Sequence, residues 1–277
     1  MPDFAKPKFK LLPVHIILIL CGLSMFLPFY WMLTTAVKTP LEALRFPPTL
    51  FPSIIKLENF VEIFREVPLL RYFLNTIFIT IVTLTGVLFT AILAAYAFAR
   101  LQFWGRDVIF IIFLALMMIP LPVYLVPSYM ILYRLRWIDT YFALIIPWMV
   151  NIFSIFFLRQ HIKTLPQDLF DAAKIDGCGE FRTLWQVVVP LSKAPLITLA
   201  IFDIIASWNS FFWPLIVTHS DSIRPLQVGL AYFSREFSTN YPLLMAASTL
   251  AILPLVILFF FAQKQIIQSY ARTGLKE

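Results

Sequence analysis

Six apolar runs organise the chain, at 11–33, 74–98, 108–132, 141–158, 194–217 and 243–262. Each is near the ~20 residues that a bilayer-crossing helix needs. The first follows Lys6, Lys8 and Lys10, but it is too long for a signal peptide and no small-residue cleavage site follows it, so it reads as a span. An even number of crossings puts both termini on one side. The predicted fold is an all-α polytopic membrane protein, one transmembrane domain over 1–277 with about six spans and a polar loop, 159–193, between the fourth and fifth.

That loop predicts a pair of short helices. Pro166 suits a first helical turn, Gln167, Asp168 and Asp171 follow at the positive end, and Gly177 stands where a left-handed residue closes a helix. A second helix is expected from about Gly179, ending at Val189 because the residue before Pro190 is driven out of helical geometry. Phe181, Leu184, Trp185 and Val188 recur at i, i+3, i+4 and i+7 and form one apolar stripe, with Arg182 and Gln186 facing away. So short a hairpin cannot bury that stripe alone. It needs the ends of its own membrane helices or another protein.

Charge decides the orientation. Lys6, Lys8, Lys10, Arg100, Arg106, Arg159, Lys163, Lys174, Arg182, Lys193, Lys264, Arg272 and Lys276 share one side, and they outnumber the basic residues of the other. The positive-inside rule therefore makes the termini and the hairpin cytoplasmic. The net charge of +7, in a chain 60% hydrophobic and 13% charged with a mean hydropathy of +0.84, is explained by these loops and not by nucleic acid. Cys21 lies in an apolar run and Cys178 in the hairpin, at different membrane levels, so no disulfide framework or Cys/His metal cluster is expected.

Two further segments carry pattern. In the Pro-rich stretch 38–71, Phe60, Ile63, Phe64 and Val67 predict one amphipathic helix, on the membrane face or on its own bundle. In the fifth run Asp203, Ser207 and Ser210 fall at i, i+4 and i+7, a polar stripe on an apolar helix. Ionisable groups in spans are costly and face a bundle interior or a wet cavity, so the stripe, with neighbouring Asn209 and Trp213, is a candidate lining of a translocation path. The alternative is a hydrogen-bonded contact between helices. Prolines 120, 122, 127, 147, 214 and 254 are candidate bends.

Asp171-Ala172-Ala173-Lys174-Ile175-Asp176-Gly177, with Val187-Val188-Val189-Pro190 downstream, resembles the E-A-A-x-x-x-G … I-x-L-P signature of membrane subunits of ATP-binding-cassette importers. The spacing fits, with Asp for Glu and Val for Ile and for Leu. Tyr96-Ala97-Phe98-Ala99-Arg100, the Met118-Ile119-Pro120 break and Trp208-Asn209 … Trp213-Pro214-Leu215 resemble the carbohydrate branch, in particular the second permease type of maltose-like transporters. The resemblance implies a permease subunit forming half of a path for a sugar or oligosaccharide, in a bacterial or archaeal cytoplasmic membrane. It implies four kinds of neighbour: a second homologous permease, two ATPase subunits, an extracytoplasmic solute-binding protein and the lipid bilayer. Asp171, Ala172, Ala173, Gly177, Phe181, Trp185 and Pro190 would couple to the ATPases, and Gln227, Val228 and Gly229 would meet the binding protein. The tail 264–277 would touch an ATPase. ATP and magnesium would be held by the ATPases, with no cofactor, metal or catalytic residue in this chain. Asp203 departs from the family pattern, so its role is not implied.

No glycine pair has the spacing of a phosphate loop, and the three histidines fall in different layers. An intramembrane hydrolase would need a nucleophile motif that is absent, and an ion-driven secondary transporter would be expected to show internal repeats. The same importer architecture serving glycerophosphodiesters or amino acids remains open.

Overall fold

The structure, a computed structural model, describes residues 12–236 and 240–273, with side chains over 13–231 and 240–263. Among the described residues every regular element is helical. The chain divides into two units, one running through Leu69 and including Leu230–Leu253, the other comprising Leu70–Gly229 and the chain from Pro254.

In the first unit α1 covers Leu12–Ala36. No residue of its apolar window is buried, as expected of a helix whose solvent is lipid or a partner. Beyond it α2, Pro40–Ala43, is capped by the Thr39 side chain. Glu42 gathers Ser53 N–H at 2.8 Å and the Thr49 and Ser53 hydroxyls, and the Ser53 amide above all holds its carboxyl below the usual range. The amphipathic segment is α3, Asn59–Glu66, with Ile63 buried and Phe64 exposed. Asn59 Nδ2 donates to the carbonyls of Ala36 and Lys38, tying α3 to the end of α1.

The second unit holds the long α4, Leu69–Arg100. The third apolar run is not one rod: α5, Arg106–Met117, and α6, Leu121–Arg134, meet at 103°. Pro120 marks the break, lacking an amide hydrogen for the preceding turn and taking extended backbone before α6, while Pro122 falls in the first turn of α6, where its missing donor costs nothing. The fourth run comprises α7, Tyr141–Ile145, a 3₁₀ turn and α8, Ile152–Thr164, whose first turn is capped by Asn151 Oδ1 on Ser154 N–H. The hairpin has α9, Gln167–Ile175, then α10, Glu180–Thr183, a π turn over Leu184–Val188 and α11, Val189–Leu191.

The expected stop at Val189 is therefore corrected: the helix passes Pro190 and ends at Leu191. The Val189 amide reaches back five residues to the Leu184 carbonyl. This wider turn makes room where the proline ring would clash and a donor is missing. After Ser192 the chain re-enters helix as α12, Lys193–Trp208, at 78° to Glu180–Leu191. The fifth run is also broken, at residues 209–211, before α13, Phe212–Val217. Next come α14, Leu226–Glu236, and the 33-residue α15, Tyr241–Thr273. Four helices are long and apolar enough to cross a membrane, or six spans if each bent pair counts as one.

Candidate functional sites at the hairpin and in the α12 cleft

Gly177 has φ +73°, in the left-handed region glycine tolerates. Around it Cys178 N–H bonds Ala173 O at 2.9 Å and Gly177 N–H bonds Lys174 O at 3.1 Å, the paired bonds that close a helix in a Schellman turn. The chain is thereby turned from α9 into α10 through a fixed joint.

The C-terminal end of α4 clamps both sides of that joint. Arg100 Nη2 donates to the carbonyls of Ile162 at 2.9 Å and Leu165 at 2.7 Å, Nη1 to Gln167 Oε1 at 2.9 Å, and its guanidinium lies 3.8 Å from the Phe170 ring centre. Gln167 in turn donates to Asp171 Oδ1 at 3.0 Å, so Asp171 is oriented from α4. One turn before Arg100, the Tyr96 hydroxyl donates to Glu180 Oε2 at 2.5 Å. Neither contact was assigned from sequence. The signal was there: Tyr96 and Arg100 stand four apart on one helix face next to a polar loop.

The predicted stripe divides. Leu184 and Val188 are buried in a cluster with Ile92, Tyr96, Leu158, Ile162 and Leu199. Phe181 is 66% exposed and Trp185 37%, their rings edge to face at 6.2 Å, and Ile175, at the end of α9, is 86% exposed. Asp171, Ala172, Gly177 and Pro190 are exposed as well, while Ala173 is buried. The hairpin thus uses its own helices for one half of its apolar face and leaves the other half unpartnered.

A cleft of 380 Å³ opens between α4, the start of α6, α7 with the 3₁₀ turn and Asn151 after it, α12, and residues 210–214. Asp203, Ser207, Ser210 and Trp213 line it together with Thr76, Thr83, Trp148 and Asn151. Asn151 Nδ2 donates to Asp203 Oδ1 at 3.3 Å and Ser154 Oγ to Oδ2 at 3.5 Å, and Ser207 shares a hydrogen bond of 3.1 Å with Thr80. Trp213 is mostly buried, its indole N–H bonded to Ala143 O at 2.9 Å. Asn209 does not join the lining: its amide folds back to Ile205 O at 2.8 Å, at the end of α12. The threonines of α4 escaped the sequence reading, although Thr76, Thr80 and Thr83 repeat the i, i+4, i+7 spacing of the Asp203 stripe.

At the other end of α4 a polar clasp fixes the segment before α14. Tyr72 donates to Asp221 Oδ1 at 2.7 Å, Asp221 pairs with Arg224, and Asn75 donates to the carbonyls of Ser222 and Arg224. Burial alone would raise the Asp139 carboxyl, but the amides of His219 and Ser220 donate to it at 2.8 and 3.0 Å and hold it below the usual range. Of the three residues assigned to a binding protein, Val228 is fully buried, Gly229 is buried with the Tyr72 ring against its α-carbon, and Gln227 is half-buried. Val228 and Gly229 are packing residues of this chain. Residues 237–239 of that loop, and the side chains of 264–277 to which an ATPase contact was assigned, lie outside the described residues. Among the described residues no three His, Cys, Asp or Glu side chains gather as a metal site would require.

An all-helical fold of long apolar helices with a clamped polar hairpin and a polar cleft fits an integral membrane protein. Residues 86–272 match the family of binding-protein-dependent transport system inner membrane components, and the chain belongs to that family, as an integral membrane protein. It is 37% identical over 226 residues, 81% of each chain, to the arabinooligosaccharides transport system permease protein AraQ of Halalkalibacterium halodurans. It is 32% identical over 98% of each chain to the AraQ of Bacillus subtilis. The diacetylchitobiose uptake system permease protein NgcG of Streptomyces coelicolor is 28% identical over 93% of this chain and 86% of its own. In fold it is similar to a bacterial ABC transporter involved in the import of the acidic polysaccharide alginate, with a TM-score of 0.83 and 21% identity over 95% of this chain and 99% of that one.

Proposed function

We propose that this chain is one of two permease subunits of an ATP-binding-cassette importer for a sugar or oligosaccharide. The observation that carries the reading is the hairpin: an exposed apolar patch of Phe181 and Trp185, with Ile175 exposed on α9, on a helix pair hydrogen-bonded to Arg100 and Tyr96. An unpartnered patch on a braced element fits docking to another protein. Membership of a permease family makes an ATPase subunit the fitting partner, and the names of the oligosaccharide relatives support the substrate class.

In this reading the hairpin is cytoplasmic, the membrane is the bacterial or archaeal inner membrane, and both termini are cytoplasmic. ATP with magnesium, held by two partner ATPases, supplies the free energy. This chain's residues transmit and admit. Phe181, Trp185 and the Asp171 face seat on the ATPase, Gly177 fixes the angle between the two short helices, and Asp203, Ser207 and Ser210 offer hydrogen bonds along the path. A solute-binding protein would deliver the sugar on the opposite face, and rocking about the midplane would expose the cleft to each side in turn.

The test is reconstitution in liposomes with the ATPase, the second permease and the binding protein, using an arabino-oligosaccharide as probe. Uptake must require ATP and the binding protein together. Uptake driven by an ion gradient without ATP would replace this reading with a secondary transporter.

A further inference from the structure

We propose that Asp203 makes the α12 cleft a charge filter, one that accepts neutral and cationic solutes and turns back carboxylates and phosphates. The proposal rests on the reading that the cleft belongs to the path. Among the described residues lining the cleft, Asp203 is the one ionisable side chain. Arg224, next to the lining residue Pro225, is paired with Asp221. Both hydrogen bonds recorded at Asp203 are donated to it, one on each oxygen, as suits a carboxylate. A carboxylate has about four acceptor positions, so places remain for a solute hydroxyl.

A neighbouring hydroxyl is also open to a solute. Thr83 is 8% exposed, lines the cleft, and its hydroxyl has no partner. A hydroxyl-rich solute could satisfy both groups, stacking its apolar face on Trp148 or Phe211. At 380 Å³ the space falls within the size of small-molecule sites. A single negative charge between low-dielectric walls focuses its field into the cavity, worth on the order of tenfold or more in local ion concentration. Of the solutes that the importer architecture could serve, this disfavours glycerophosphodiesters and favours uncharged sugars.

The test needs no knowledge of the natural solute. In the assembled, reconstituted complex, Ser210→Cys is introduced with Cys21→Ser and Cys178→Ser. The rates of modification by a cationic trimethylammonioethyl and an anionic sulfonatoethyl methanethiosulfonate are then compared, each normalised to its rate with a small free thiol. The cation should react about tenfold faster or more, and the preference should shrink in ~1 M salt, where screening acts over roughly 3 Å. Adding Asp203→Asn should bring the ratio toward one, and Asp203→Glu should restore it. The salt series keeps the test decisive even where Asp203→Asn fails to assemble. Equal normalised rates with Asp203 in place would overturn the filter and leave the path reading intact. A thiol at 210 inert to both reagents would remove the cleft from the path, and the filter with it.

Discussion

Replacing Gly177 with valine separates folding from coupling. At φ +73° a Cβ costs on the order of 1 kcal/mol, and a β-branched side chain costs more because its own rotamers crowd the backbone. Nothing lies within 4 Å of the position a Cβ would take, so the penalty is conformational and not a clash. Against it stand the clamps on either side. Arg100 makes three hydrogen bonds around α9, and Leu184 and Val188 are buried, each worth about 1.5–3 kcal/mol by area alone. The strain is therefore relieved where resistance is least, by loss of the two turn bonds at Cys178 and Gly177 and re-aiming of the exposed Phe181 and Trp185. Gly177→Val should insert at wild-type abundance yet transport poorly, with ATP hydrolysis no longer stimulated by the loaded binding protein. Gly177→Asn, whose side chain tolerates this region, should fall between, and Gly177→Ala between Asn and Val. Uptake, stimulated hydrolysis and subunit retention are measured together in liposomes. Wild-type coupling in Gly177→Val would refute the joint as the determinant of coupling.

Arg100→Lys keeps the charge but loses the planar fork that reaches Gln167, Ile162 and Leu165 at once; it should weaken ATPase co-purification, and full retention would show the clamp to be dispensable. Gly229→Ala drives a methyl into the Tyr72 ring, which its hydroxyl bond to Asp221 holds in place; overpacking of about 1–3 kcal/mol should lower thermal stability, and Tyr72→Leu should partly rescue it. An impermeant thiol reagent should label Cys178 from the hairpin side of sealed vesicles while Cys21, on the unburied α1, is shielded by lipid or a partner; labelling of Cys178 from outside intact cells would invert the topology.

Hydropathy located every apolar run, because burial in lipid requires length and composition alone. The Met118-Ile119-Pro120 break was legible from its proline, but the prolines alone did not tell that bend from Pro127 and Pro254, which lie inside continuous helices. The 103° bend after Met117 and the gap at 209–211 depend on where carbonyls freed by proline find partners, which is tertiary information. Gly177 was legible because a left-handed residue after a helix is a local need. Pro190 misled because the local rule was overridden: a π turn absorbed the ring and the helix went on. The Asp203 stripe could be read from its period, whereas the partners of Asp203, Asn151 and Ser154, sit some fifty residues away and carried no local sign. Val228 and Gly229 were assigned to a surface by resemblance and proved to be interior, since a short motif does not reveal which face packs.

The continuation of helix through Pro190 has a mechanical consequence. Between the exposed Trp185 and the cleft residue Asp203 only Ser192 is non-helical. Trp185 and Asp203 thus sit on two stiff arms of one elbow set at 78°. The 16 residues of α12 make an arm about 24 Å long. Opening the elbow by roughly 10° would swing its far end by about 4 Å, a stroke comparable to one helical turn. A loop in place of the π turn would dissipate that stroke before it arrived.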